Sequence, residues 1–140
     1  MAVIKWSVNY EIGLPSIDVQ HRRLADRYNE LVTRKRDGAP EVELVELLDV
    51  LMGEVADHCG TEEEAMERAG YPGLEEHRGH HRDLAERMDR FRTVVGLGRQ
   101  QIDDSALLFT RHWLLNHIVD SDIDFGRFQT ERGAAQPVGA

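Results

Sequence analysis

The stretch Val55-Ala56-Asp57-His58-Cys59-Gly60-Thr61-Glu62 runs on in a helical pattern to a break at Gly70-Tyr71-Pro72-Gly73. Beyond the break the chain resumes as Leu74-Glu75-Glu76-His77-Arg78-Gly79-His80-His81. His58 and Glu62 are four residues apart, as are His77 and His81, so on helices each pair lies on one face. One helix therefore ends with a pair of metal-type side chains, and the next begins with another. Two helices joined by a tight break run antiparallel, which brings the two pairs to the same level.

Working outward, the apolar spacing predicts four helices and no strands. Pro15 and Ser16 mark a helix start, with Asp18 in the first turn favouring the positive end of the helix dipole. Ile17, His21, Leu24, Tyr28, Leu31 and Val32 then recur at three- and four-residue steps to about residue 36. Asp37-Gly38-Ala39-Pro40 stops this helix. A second helix is expected over 41–68, with Leu44, Leu47, Leu48, Leu51, Val55, His58 and Met66 inward, and a third over 74–95, with Leu84, Met88 and Phe91 inward. A fourth is expected over 103–125. Residues 1–14 form an N-terminal arm, 1–128 a single domain, and 129–140 a flexible tail. Helices of this length with short connections give an all-α, up-down-up-down antiparallel four-helix bundle.

Composition narrows the function classes. The 140 residues are 41% hydrophobic and 31% charged, which suits one soluble domain. A net charge of -9 argues against nucleic acid and anionic membrane surfaces as partners. No run approaches the roughly 18 apolar residues of a membrane span, so no membrane insertion is expected. The N-terminus has no apolar signal core, and the single cysteine, Cys59, has no internal partner; both fit the cytoplasm.

The candidate ligands all fall at one end of this bundle. His21 lies early in the first helix, His58 and Glu62 late in the second, His77 and His81 early in the third, His117 and Asp122 late in the fourth. With about 1.5 Å rise per residue they occupy a layer on the order of 10 Å deep. His117 and Asp122 are five apart, about 140° around an ideal helix. The carboxylate must therefore reach around, the fourth helix must widen or end there, or Asp120 or Asp124 must substitute. Five imidazoles, two bridging carboxylates and an oxo or hydroxo bridge leave two octahedral metals one ligand short. Such a donor set, with no thiolate, suits iron, manganese or zinc. His80 and His112 fall outside this pattern, and Glu63 and Glu64 read as a solvated face.

These residues resemble the hemerythrin family, and in particular its single-domain bacterial members, from Trp6 to about Phe128. The resemblance rests on Ile17-Asp18-Val19-Gln20-His21-Arg22-Arg23-Leu24, on His58 with Glu62, Glu63 and Met66, and on Tyr71-Pro72. It continues with His77, His81 and Trp113-Leu114-Leu115-Asn116-His117-Ile118 followed by Asp122. It implies two iron ions bridged by Glu62, Asp122 and an oxo or hydroxo group. His77, His81 and His117 would hold the saturated iron, and His21 and His58 the iron with the open position. Dioxygen would bind there reversibly in a pocket formed by Leu24, Cys59, Trp113, Leu114 and Ile118. The implied role is oxygen carriage, storage or delivery by a monomer that is not an enzyme, with an oxygen-consuming enzyme as delivery partner. An oxygen or redox sensor and a di-iron oxidase or peroxidase are the alternatives. Cys59 departs from the family's common phenylalanine and implies a larger or wetter pocket, and Phe125 stands where tyrosine is also common.

Overall fold

A computed structural model describes residues 3–117 and 122–135. After a short arm with one 3-10 turn at Val8–Tyr10, the helices are α1 (Pro15–Arg36), α2 (Glu41–Ala69), α3 (Leu74–Gly96), α4 (Asp104–Asn116) and α5 (Ile123–Ala135). The boundaries of α1 to α3 follow the apolar spacing. Within the fourth expected helix, α4 covers Asp104–Asn116 and α5 starts at Ile123, and residues 118–121 lie outside the described residues. The described residues on either side of these, His117 and Asp122, both have π-helical hydrogen bonding. α5 continues to Ala135, beyond residue 128.

Cross-helix contacts establish the antiparallel order. From α1 to α2, Arg34 pairs with Glu43, Arg27 with Glu54, and His21 with His58, one number falling as the other rises. From α2 to α3 the pairs are Asp49–Arg92 and Glu63–Arg78. Between α3 and α4 they are Phe91–Phe109 and His81–His117. The Tyr28 hydroxyl donates to the Leu107 carbonyl at 3.1 Å, which ties α1 to α4.

Local chemistry fixes the ends. Gly70 adopts φ 66°, a left-handed conformation that glycine tolerates without strain. It lets the Tyr71 N–H reach back to the Met66 carbonyl at 3.0 Å and close α2. Asp103 caps α4 by accepting from the Ala106 N–H. Asp18 does more than favour the dipole, because its carboxylate accepts the Ile12 and Gly13 N–H groups and clasps the arm to α1.

The core has two parts. A larger cluster includes Leu24, Tyr28, Leu44, Leu48, Leu51, Val55, Met88, Leu107 and Leu114. A smaller one contains Ile12, Ile17, Met66 and Phe125, with Tyr71 and Leu74 against it. Each helical strut passes from one cluster to the other: Leu24 to Ile17, Val55 to Met66, Met88 to Leu74, and Leu114 to Phe125. The candidate ligands lie between the clusters on every strut. The smaller cluster is closed by the arm crossing α5 at Gly126, where a Cβ would collide with the Ile12 carbonyl oxygen. Gly126→Ala should therefore lower stability by about 1–3 kcal/mol through overpacking. Urea unfolding of the two proteins measures this; equal midpoints would show that the arm does not seat there.

Candidate metal centre

The seven predicted ligand side chains are all buried. His21, Glu62 and Asp122 are fully enclosed, and His81, the most exposed of the seven, is 6% accessible. Among the described residues the only other buried non-aromatic polar side chain is Thr110, whose hydroxyl donates to the Ala106 carbonyl within its own helix. Burying imidazoles and carboxylates costs several kcal/mol each unless their polar atoms are satisfied. Here they are buried together.

The two carboxylates straddle the layer. Glu62 Oε2 lies 3.1 Å from His58 Nε2 and 3.8 Å from His21 Nε2. Its other oxygen, Oε1, contacts His77 Nε2 and lies 3.3 Å from His81 Nε2. Asp122 divides in the same way, with Oδ2 at 2.6 Å from His21 and 3.4 Å from His58, and Oδ1 at 3.0 Å from His77. Each carboxylate thus turns one oxygen to the His21–His58 side and the other to the His77–His81 side. His117 stands between, its Nε2 3.2 Å from Asp122 Oδ2 and 4.0 Å from Glu62 Oε1. Two overlapping donor sets result. One holds His21, His58, Glu62, His117 and Asp122; the other holds Glu62, His77, His81, His117 and Asp122. In each, the ligand atoms lie within 4.8 Å of one another.

These atoms fit a metal better than they fit each other. Glu62 Oε2, His81 Nε2, His117 Nε2 and Asp122 Oδ1 are buried and close to neighbours, yet none has an aligned hydrogen-bond partner. Lone pairs that converge without pairing are arranged for a cation between them. Imidazole with carboxylate suits a pair of borderline metals such as iron. The π-helical residues His117 and Asp122 also resolve the five-residue spacing, since i to i+5 geometry returns a side chain to the same face. Of the suggested substitutes, Asp124 is exposed, and Asp120 lies outside the described residues.

Two supporting side chains were missed in the sequence. Gln20 Oε1 accepts from His58 Nδ1 at 2.7 Å, and Glu63 Oε2 accepts from His81 Nδ1 at 2.9 Å. Each hydrogen bond orients an imidazole with its Nε2 toward the cluster. Glu63 is therefore not simply a solvated residue. Its signal was adjacency: both residues directly neighbour a ligand in the chain.

Of the expected dioxygen-pocket residues, Leu24, Trp113 and Leu114 share the large core cluster, with Cys59 packed against it. Cys59 and Trp113 line a 340 Å³ apolar cavity with Met52, Val55 and Met88. Leu24 lines a separate 240 Å³ cavity beside His58. Ile118 lies outside the described residues. Burial pushes the Cys59 thiol well up, assisted by the charge of Glu62, so it stays protonated and poorly nucleophilic.

Residues 13–126 match the family model described as the hemerythrin HHE cation binding domain. The chain belongs to the hemerythrin family. It is 31% identical over 122 residues to a bacteriohemerythrin of Stenotrophomonas maltophilia, covering 87% of this chain and 78% of that one. It is 27% identical over 127 residues to a bacteriohemerythrin of Methylococcus capsulatus, covering 90% and 96%. A crystal structure of wild-type hemerythrin superposes with a TM-score of 0.82 at 25% identity, covering 90% of this chain and 97% of that one.

The electrostatics of this hemerythrin-type cluster predict a pH dependence. Burial lowers the pKa of His58 and His77, but hydrogen bonds to Asp122 and Glu62 outweigh it and raise both to about 9. Burial pushes Glu62 and Asp122 up, yet the surrounding histidines hold both below the ordinary carboxylate range. Imidazoles raised from 6.5 stabilise the metal-free fold fully below pH 6.5, and this stabilisation is lost as pH rises through about 9. The depressed carboxylates stabilise it above their unfolded pKa values, and that is lost only as pH falls through their folded ones. Metal ligation needs neutral imidazoles, so protons compete with metal. The rise in melting temperature on metal addition should therefore grow from pH 6.5 to pH 9. A constant rise across that window would rule the competition out.

Proposed function

We propose that this chain holds two iron ions and binds dioxygen reversibly at this di-iron centre, as an oxygen carrier, storage or delivery protein rather than an enzyme. The observation that carries this reading is the straddling of the layer by Glu62 and Asp122, each turning one oxygen to either set of imidazoles. A carboxylate so placed is suited to bridge two metals.

In this reading His21 and His58 serve one iron, His77, His81 and His117 the other, and Glu62 and Asp122 both. When bound, the iron pair supplies electrons and one open coordination position for dioxygen. The chain's part is to orient, to enclose and to exclude. Gln20 and Glu63 fix the planes of His58 and His81. The apolar cluster with Leu24, Trp113 and Leu114 caps one side of the layer, and Ile17, Met66 and Phe125 cap the other. A dry surround limits water and anions, which favours release of the gas over irreversible oxidation.

The donor balance favours binding over oxidation chemistry. Bundle di-iron enzymes typically use four carboxylates and two histidines, a more anionic set that stabilises higher iron oxidation states. Here imidazoles outnumber carboxylates in both donor sets. The lone Cys59, with no disulfide partner, supports a reducing compartment such as the cytoplasm.

Metal analysis joined to optical spectroscopy tests the reading. The purified protein should carry two irons per chain, and the ferrous form should gain a visible band with dioxygen that disappears when the gas is removed. Steady turnover of a reductant in place of a reversible band would overturn it. Filling the cavity beside Cys59 should protect the ferrous form. Cys59→Phe is expected to slow autoxidation several-fold, and an equal rate in both proteins would sever the cavity from oxidation.

A further inference from the structure

Two of the seven histidines, His80 and His112, take no part in the buried cluster. His80 is on α3 between His77 and His81, and His112 is on α4, five residues before His117. Both are exposed, and among the described residues neither makes a hydrogen bond or ion pair. They nevertheless line the same cleft, a 480 Å³ opening between α3 and α4 whose polar lining also includes Asp83 and Asn116. Its floor includes His117, a member of both donor sets.

We propose that this cleft is the port through which divalent metal ions reach and leave the buried centre, with His80, Asp83 and His112 as transient ligands at its rim. This rests on the di-iron reading. The seven buried side chains have almost no access to water, so a hydrated cation must shed its shell before reaching them. Metal ions give up water most easily when protein donors replace it stepwise, and imidazole with carboxylate is the donor chemistry of the centre itself. His117 suits the last handover, because its Nε2 is buried without an aligned partner.

The cleft's one basic residue, Arg87, pairs with Asp83 at 3.1 Å. Both side chains are more than half exposed, and such a surface pair is weak enough to yield to an incoming cation. The net charge of -9 draws cations toward the protein in general. A second cavity reaches the centre at His58, but it offers no further imidazole, and Gln20 already occupies His58 Nδ1.

The test is the rate of cobalt(II) uptake by the metal-free full chain, followed anaerobically by its visible absorption, and the rate of loss to an external chelator. Against wild type, His80→Ala/His112→Ala should slow both by about tenfold, equivalent to about 1.4 kcal/mol on the barrier, with unchanged stoichiometry and affinity. Asp57→Asn, at the cavity beside His58, should leave both rates unchanged. Unchanged rates in the double variant would overturn the port. So would equal slowing in Asp57→Asn, which would move the route to His58. A lower stoichiometry in the double variant would make His80 or His112 a resident ligand, also against the proposal. Wild-type protein that takes up no cobalt would sink the metal reading itself, a result distinct from any change in rate.

Discussion

The structure depends on one constraint: a layer of five imidazoles and two carboxylates is enclosed between two apolar clusters. Such a layer cannot be left to water, because the residues on either side exclude it, and it cannot fully satisfy itself, because its atoms converge without aligning. Hydrogen bonding within the layer gives a partial solution, with imidazolium facing carboxylate. A pair of metal ions gives the fuller one. The bundle's length, the paired helix ends and the small cluster around Phe125 all follow from having to close both sides of this layer. The arm crossing Gly126 is part of the same closure.

The parts of this arrangement that obey helical periodicity were legible in the sequence. His58–Glu62 and His77–His81 sit at spacings that helix geometry maps onto one face, and alternating chain direction then brings four helix ends together. The breaks at residues 37–40 and 70–73 were equally readable, since Gly and Pro act locally. The fold class and the seven clustered side chains follow from these two facts.

What could not be read depends on tertiary partners or on departure from the ideal helix. The spacing of His117 and Asp122 announced a distortion, but which form it takes, here π-helical hydrogen bonding at both residues, is a product of packing. Glu63 read as solvated and Gln20 was given no role because their partners, His81 and His58, are on other helices. Leu24 and Cys59 share the large core cluster but line different cavities, which no spacing rule shows because they stand on different helices. His80 and His112 were recognised as lying off the ligand pattern, but no spacing rule connects positions on separate helices to one cleft.

Gln20 sits beside His21 in the chain but braces His58; Glu63 sits beside Glu62 but braces His81. Ligand and brace are thus interlaced across helices. A slip of α1 along α2 by one turn would displace His21 and, in the same movement, leave His58 free to swing. The centre therefore reads the alignment of the bundle, and a misregistered bundle offers a disordered set of donors instead of a weaker version of the right one. Metal ions held by such a centre would stabilise bundles whose helices have met in register over those that have not.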